Sequence, residues 1–299
     1  MKPLRTKHLF RCLSLLLALV MGQAWGKVTL THIHGLAYSG DGTSLYIPSH
    51  HGLAIYRNGV WSKAAGPEHD YMGFVATKDR FYSSGHPAPG SALKNPFGLI
   101  RSTDGGKTWS PLGLQGETDF HLMAAGHDTN AIYVFNPAPN SRMDSAGMYQ
   151  TVNDGLAWRK ARAQGLSGEP IALAVHPQDP AQVAVATSNG VHFSKNAGDS
   201  FQALATGEAL AVFFDLDGKH LWYSGFGREA SLARVALADG SKEVVNLPPI
   251  GKDAVAYIAQ NPRNSSEYAI ATFKRNVYVS RDGGRNWKQI AKEGQGLGS

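Results

Sequence analysis

The segment STDGGKTW, residues 102–109, has the chemistry of a tight turn leading into a strand. Asp104 can hydrogen-bond backbone N–H groups within the turn, and glycine can take the positive φ that such a turn requires. Trp109 closes the segment with a large apolar ring.

The pattern returns three times, as TVNDGLAW (151–158), SKNAGDSF (194–201) and SRDGGRNW (280–287). Each copy has a small hydroxyl residue, then Asp or Asn two places on, Gly two further, and an aromatic at the end. The defining residues are Ser102, Asp104, Gly106 and Trp109; Asn153 and Trp158; Asn196 and Phe201; and Asp282, Gly284 and Trp287. The closing aromatics lie 49, 43 and 86 residues apart, and the last interval is twice 43. Trp61, in YRNGVW, precedes Trp109 by 48, and one unit ending near 244–247 lacks the motif. A fixed period of this size marks a repeat architecture. These segments resemble the Asp-box, or BNR, repeat, S-x-D-x-G-x-T-W. Residues 102–109 match it fully. Asn286 replaces Thr in the last copy; the middle copies carry Asn153 and Asn196 for Asp, with Ala157 and Ser200 for Thr. The resemblance implies a β-propeller in which each box turns between the third and fourth strands of a blade and its aromatic packs between blades.

Each unit also carries apolar or alternating runs broken by turn residues, as in IALAVHPQDPAQVAVATSNGVHFSK (171–195), which reads as three short strands. Units begin near His34, Met72, His121, Ile171, Leu210 and Val255. The expected fold is therefore all-β, a six-bladed propeller over residues 27–299, since a seventh unit of ~45 residues has no room. No strand at one end is recognisable as completing a blade at the other.

Residues 1–26 read as a secretory signal: Lys2, Arg5, Lys7 and Arg11, then the apolar CLSLLLALVMG, then Ala24-Trp25-Gly26 before a cleavage point. The apolar run is short for a bilayer span, so no stable membrane anchor is expected after cleavage. Removing four basic and no acidic residues lowers the formal charge from +6 to +2. The basic balance then gives no support for nucleic-acid binding. The single cysteine, Cys12, leaves with the signal, and His8 lies there too. A periplasmic or extracellular monomer without disulfides is expected, its core large enough to do without them.

Aligning the first strands brings His32, Asp70, Asp119, Glu169, Glu208 and Asp253 to equivalent positions, where the innermost strand of each blade begins. They should ring the channel mouth. Loops between second and third strands add His50, His51 and His86, and His34, His69 and His121 flank the ring. Carboxylates so close need protons, cations or basic partners. Imidazole with carboxylate also suits zinc or copper, with His32, His50, His51 and His86 as candidate ligands. Met72, Met123, Met143 and Met148 offer softer donors or core filling, whereas His176, His192 and His220 are expected at the surface.

Known Asp-box propellers include sialidases and other glycoside hydrolases, sortilin-type receptors and a photosystem assembly factor, so the box does not itself convey function. The Arg-Ile-Pro signature of sialidases is missing; Tyr46-Ile47-Pro48 stands nearest, and Arg101, Arg228 and Arg275 are the candidate arginines. A glycosidase of another kind could draw its carboxylate pair from Asp70, Asp119 and Glu169, with Tyr71, Phe120 or Phe226 stacking on sugar. The preferred reading is a binding or accessory protein whose ligand at the mouth is a metal ion, a small polar molecule or a protein partner.

Overall fold

In a computed structural model, which describes residues 28–298, six antiparallel sheets form a ring. The blades occupy residues 37–63, 70–113, 123–160, 170–206, 209–244 and 255–296. Each is a meander in which consecutive strands pair, and the sixth blade has a short fifth strand, Gln295–Gly296. The expected six-bladed propeller is thus the observed fold.

Each of the four boxes lies between the third and fourth strands of its blade. Their hydrogen bonds explain the motif. In the first, the Ser102 hydroxyl donates to Asp104 Oδ1 (2.8 Å) and accepts from the Gly106 N–H (2.9 Å). Asp104 Oδ1 accepts the Thr108 N–H at 2.9 Å. Asn153 and Asn196 accept the corresponding N–H groups of Ala157 and Ser200 at 3.0 and 2.9 Å, so Asn replaces Asp without loss of the turn. At Asp282, the Asn286 side chain and backbone both donate, and with Ser280 they hold the carboxyl down to about 2. The box glycine is needed twice over. Gly284 has φ +89, and a Cβ there would stand 2.9 Å from Val245 of the preceding blade.

The core is divided into wedges between neighbouring blades. Tyr46 and Leu53 of blade one pack with Tyr71, Phe74 and Ile100 of blade two, and equivalent clusters fill the other junctions. The box aromatics complete several of them: Trp158 meets Phe120, and Trp287 donates its indole N–H to the Asn246 carbonyl of the preceding connection.

Ring closure, which the sequence did not reveal, is made by residues 28–30. The Leu30 N–H donates to Gly294 O at 2.7 Å, the Gly296 N–H donates to Val28 O at 3.0 Å, and Thr29 bridges to Gln295. Val28 and Leu30 are buried with Trp61 of blade one and Ile290 of blade six. The Trp61 indole donates to Ile290 O at 2.9 Å across the junction. The expected signal peptide falls outside the described residues.

Trp61→Ala should cost about 3–5 kcal/mol, the range for emptying a large buried aromatic site. Trp61→Phe should cost about 1–3 kcal/mol through the abandoned Ile290 carbonyl. Denaturant unfolding monitored by fluorescence checks both; losses near zero would mean that this junction does not hold the ring.

Candidate functional site

Residues 31–36 approach the first strand of blade one, Ala37–Tyr38, along the mouth of the channel. In this extended stretch His32 and His34, two apart, fall on one side. The His34 N–H donates to Pro48 O at 3.2 Å, and Gly35 lets the stretch lie close, since a Cβ there would stand 3.1 Å from Pro48. The turn joining the second and third strands, Leu45–Ser49 and Gly52–Arg57, then carries His50 to the same place. Ring centroids are 4.6 Å apart for His32 and His50, 4.8 Å for His34 and His50, and 5.7 Å for His32 and His34. Each imidazole offers a nitrogen, and the three nitrogens lie within 4.8 Å of one another.

Asp70 supports this trio from the start of the neighbouring blade. Its Oδ2 lies 2.7 Å from His50 Nδ1, an arrangement that fixes a proton on Nδ1 and leaves the Nε2 lone pair free. Its Oδ1 lies 3.9 Å from His34 Nε2. Both of these atoms are buried, and neither has a hydrogen-bond partner among the described residues. Burial pushes His34 down to about 4; the Asp70 charge opposes the shift, while His50, His32 and His121 reinforce it. His34 is thus a neutral imidazole at ordinary pH.

A second group lies alongside. His86 Nε2 and His121 Nε2 approach the same oxygen, Asp119 Oδ2, at 3.1 and 2.8 Å, and His86 Nδ1 meets Asn95 Oδ1 at 2.7 Å. The structure therefore separates His86 from His32 and His50, with which it had been grouped as a ligand. His51, expected as a ligand with them, is exposed and stands outside the group of three imidazoles.

The rest of the expected ring disperses. His69 is buried against Tyr71 and Phe97 and accepts the Ala88 N–H at 2.9 Å, which makes it a loop anchor. Asp253 is also buried: it accepts the Ala254 and Lys274 N–H groups and the Asn276 amide, so its lone pairs are committed to the loop. Glu169 and Glu208 are exposed at the starts of their blades. Tyr71 and Phe120 are fully buried, which removes them as sugar-stacking platforms; Phe226 is exposed. Met143 and Met148 belong to the core. His192, expected at the surface, is buried within a third strand, and burial lowers its basicity. His176 caps a loop by accepting the Gln178 and Asp179 N–H groups. Arg101 pairs with Asp154 at 2.7 Å beside a box turn.

Asp215, Asp217 and His220 also cluster closely enough to suggest a cation site. Asp215, however, accepts from Arg234 at 2.6 Å, the Trp222 indole at 2.7 Å and the Tyr268 hydroxyl at 2.8 Å. That carboxylate is already neutralised by arginine and serves the packing of blades five and six. Sequence alignment placed His34 only on the flank of the ring; the two-residue spacing of His-Ile-His was the signal that it shares a side with His32. Lys274 also reaches the mouth, with no motif to mark it, beside Arg275, which the sequence offers only as a candidate arginine of a sialidase-like site.

The BNR/Asp-box repeat family model matches residues 100–111. No curated protein matches the chain in sequence. Among solved structures, a GH74 enzyme of Niastella koreensis superposes with TM-score 0.59 at 15% identity, covering 89% of this chain and 46% of that one. The GH74 xyloglucanase from Xanthomonas campestris gives 0.55 at 15%, with the same coverage. YCF48 from Cyanidioschyzon merolae gives 0.53 at 18%, covering 92% and 90%, and a YCF48 structure bound to a D1 peptide gives 0.50 at 17%, covering 89% and 84%. The chain spans under half the length of the GH74 proteins and most of the length of YCF48. At these identities the likeness is one of fold.

The depressed basicity of His34 sets a pH dependence in metal-free protein. Below pH 6.5 the unfolded chain takes up a proton that folded His34 refuses until about pH 4. Stability should therefore fall as pH drops through that window, by an amount on the order of 3 kcal/mol. His34→Leu should remove this component, giving a flatter profile in urea unfolding of EDTA-treated protein between pH 7 and pH 4. An unchanged profile would contradict the assignment.

Proposed function

We propose that this propeller is an exported, non-enzymatic binding protein that takes a divalent transition metal, zinc or copper, on His32, His34 and His50. The observation that carries the proposal is the pair of unpartnered buried atoms, His34 Nε2 and Asp70 Oδ1, facing one another beside two further imidazoles. Such atoms are costly to bury unless something bonds to them. Three imidazoles and a carboxylate suit a borderline metal better than a hard one. Asp70 would orient His50 by holding its Nδ1 proton, the usual arrangement behind a ligating histidine. Export rests on the N-terminal sequence pattern.

A glycoside hydrolase is supported less well. It needs two carboxylates free to exchange a proton with substrate and water. Asp70 is bonded to His50 and Asp119 to two histidines, while Glu169 stands exposed on another blade. A protein partner is the second reading. It draws support from the exposed Phe226, at the end of a strand of blade five, and Phe273, in a turn of blade six, and from the YCF48 structure that holds a peptide. Phe226→Ser with Phe273→Ser should then abolish specific co-purification from the native envelope; capture unaffected by the double change would argue against that surface.

For the metal, calorimetry on the EDTA-stripped mature protein should show one Zn or Cu site. His32→Ala, His34→Ala and His50→Ala should each weaken it at least ~10-fold, and Asp70→Asn about 10–100-fold. His51→Ala should leave it unchanged. No heat of binding with either ion would overturn the proposal.

A further inference from the structure

The arrangement that gathers His32, His34 and His50 occurs a second time across blades two and three. Asp119 and His121, on either side of Phe120, lead into the first strand of blade three, Met123–Ala125, as His32 and His34 lead into that of blade one. Phe120 is fully buried, and its N–H donates to Ser84 Oγ at 2.9 Å, which ties this stretch to blade two. His86 stands at the end of the second strand of blade two, Phe81–His86, as His50 stands just past its own. The residue opposite His86 on the neighbouring strand is Asp70, which supports the first trio, so the two groups are adjacent.

The hydrogen bonding of this second group is incomplete in two places. His86 Nδ1 lies 2.7 Å from Asn95 Oδ1, a carbonyl oxygen, so Nδ1 carries the ring proton. In a neutral His86 the Nε2 atom is then a bare lone pair, and it faces Asp119 Oδ2 at 3.1 Å. Two acceptors at that distance repel unless a proton or a metal ion stands between them. The other oxygen, Asp119 Oδ1, is buried and has no hydrogen-bond partner among the described residues. A second proton on His86 would relieve the first contact and leave Oδ1 unmet. A metal ion, which a carboxylate can hold through both oxygens, meets both needs.

We propose that His86, Asp119 and His121 form a second site for a divalent transition ion of the zinc class, with Asn95 holding His86 in its ligating tautomer. Two imidazoles and a carboxylate are a ligand set for such an ion. The Asn95 carbonyl is the kind of orienting partner that stands behind a ligating histidine. The site uses no residue of the first trio. The Nε2 atoms of His86 and His121 stand more than 4.8 Å apart, on either side of Asp119 Oδ2. Donors around tetrahedral zinc are about 3.3 Å apart. His121, 61% exposed, has room to swing inward, while Asp119 is 13% exposed and His86 is held by Asn95. That movement, and the Asp119 hydrogen bond that His121 gives up, make this the weaker of the two sites.

The test is zinc uptake by the EDTA-stripped mature protein, with content measured by elemental analysis after equilibrium dialysis and steps resolved by calorimetry with Zn(II). The wild type should take up two ions, the second more weakly than the one assigned to His32, His34 and His50. His86→Ala with His121→Ala should remove the weaker step and leave the tighter one; Asp119→Asn should do the same should the double variant fail to fold. His32→Ala with His50→Ala should retain the weaker step alone. Asn95→Ala should weaken that step about tenfold without touching the other. Zinc uptake unaltered both by His86→Ala with His121→Ala and by Asp119→Asn overturns the proposal, as does a folded His32→Ala, His50→Ala protein that takes up none. If that protein instead retains all the zinc that the wild type takes, the first trio fails as a site and the second stands.

Discussion

Each blade exposes an apolar face that only its neighbour can cover, and this makes closure of the ring the constraint on which the structure depends. A linear array would leave the outer faces of blades one and six in water. Closure joins Leu45, Ile47 and Trp61 to Ala269, Val277 and Ile290 in one wedge, capped by Val28 and Leu30. The clamp also builds the mouth. Leu30 is pinned to Gly294, and Thr31 accepts from Arg275, so the chain leaves the clamp in a fixed direction. His32 and His34 are the next alternate residues along it. The position of the histidine cluster is thus a consequence of how the ring is closed.

The parts of the fold that were legible in the sequence are those made by local hydrogen bonds. A box declares itself because Ser102, Asp104 and Gly106 bond to one another within five residues. The clamp declares nothing, since it joins residues 28–30 to 294–296 through backbone groups that any sequence possesses. The same distinction separates the site residues. Repeat alignment placed Asp70 and Asp253 at equivalent points. What each does there depends on the adjoining loop: Asp70 faces His50, whereas Asp253 meets three donors from residues 254, 274 and 276. Strand alternation carried information that the alignment left unused. With Asp70 at the mouth, Tyr71 must point the other way, and it lies buried in the wedge.

The electrostatic problem of an acidic mouth is solved unevenly around the ring. On blades one to three each carboxylate is matched with imidazole: Asp70 with His50, and Asp119 with His86 and His121. On blades four and five, Glu169 and Glu208 stay in water, where charge is well solvated. On blade six the acid turns inward as Asp253, and Lys274 and Arg275 face the mouth in its place. The mouth therefore has a histidine side and a cationic side.

His34 shows why burial and metal binding need not oppose each other. Desolvation disfavours the imidazolium and drives His34 down to about 4. A proton and a metal compete for the same lone pair, so a site that refuses the proton leaves the nitrogen available. The charge of a bound divalent ion would be countered at short range by Asp70, whose Oδ1 lies 3.9 Å from His34 Nε2 and is buried without a hydrogen-bond partner among the described residues. Asp70 alone is too weak to keep His34 protonated against desolvation, yet its full negative charge remains to balance a doubly charged ion held by three neutral rings. A divalent ion held there would exchange its water for three imidazole nitrogens and the Asp70 charge, whereas a proton on His34 would gain a single nitrogen.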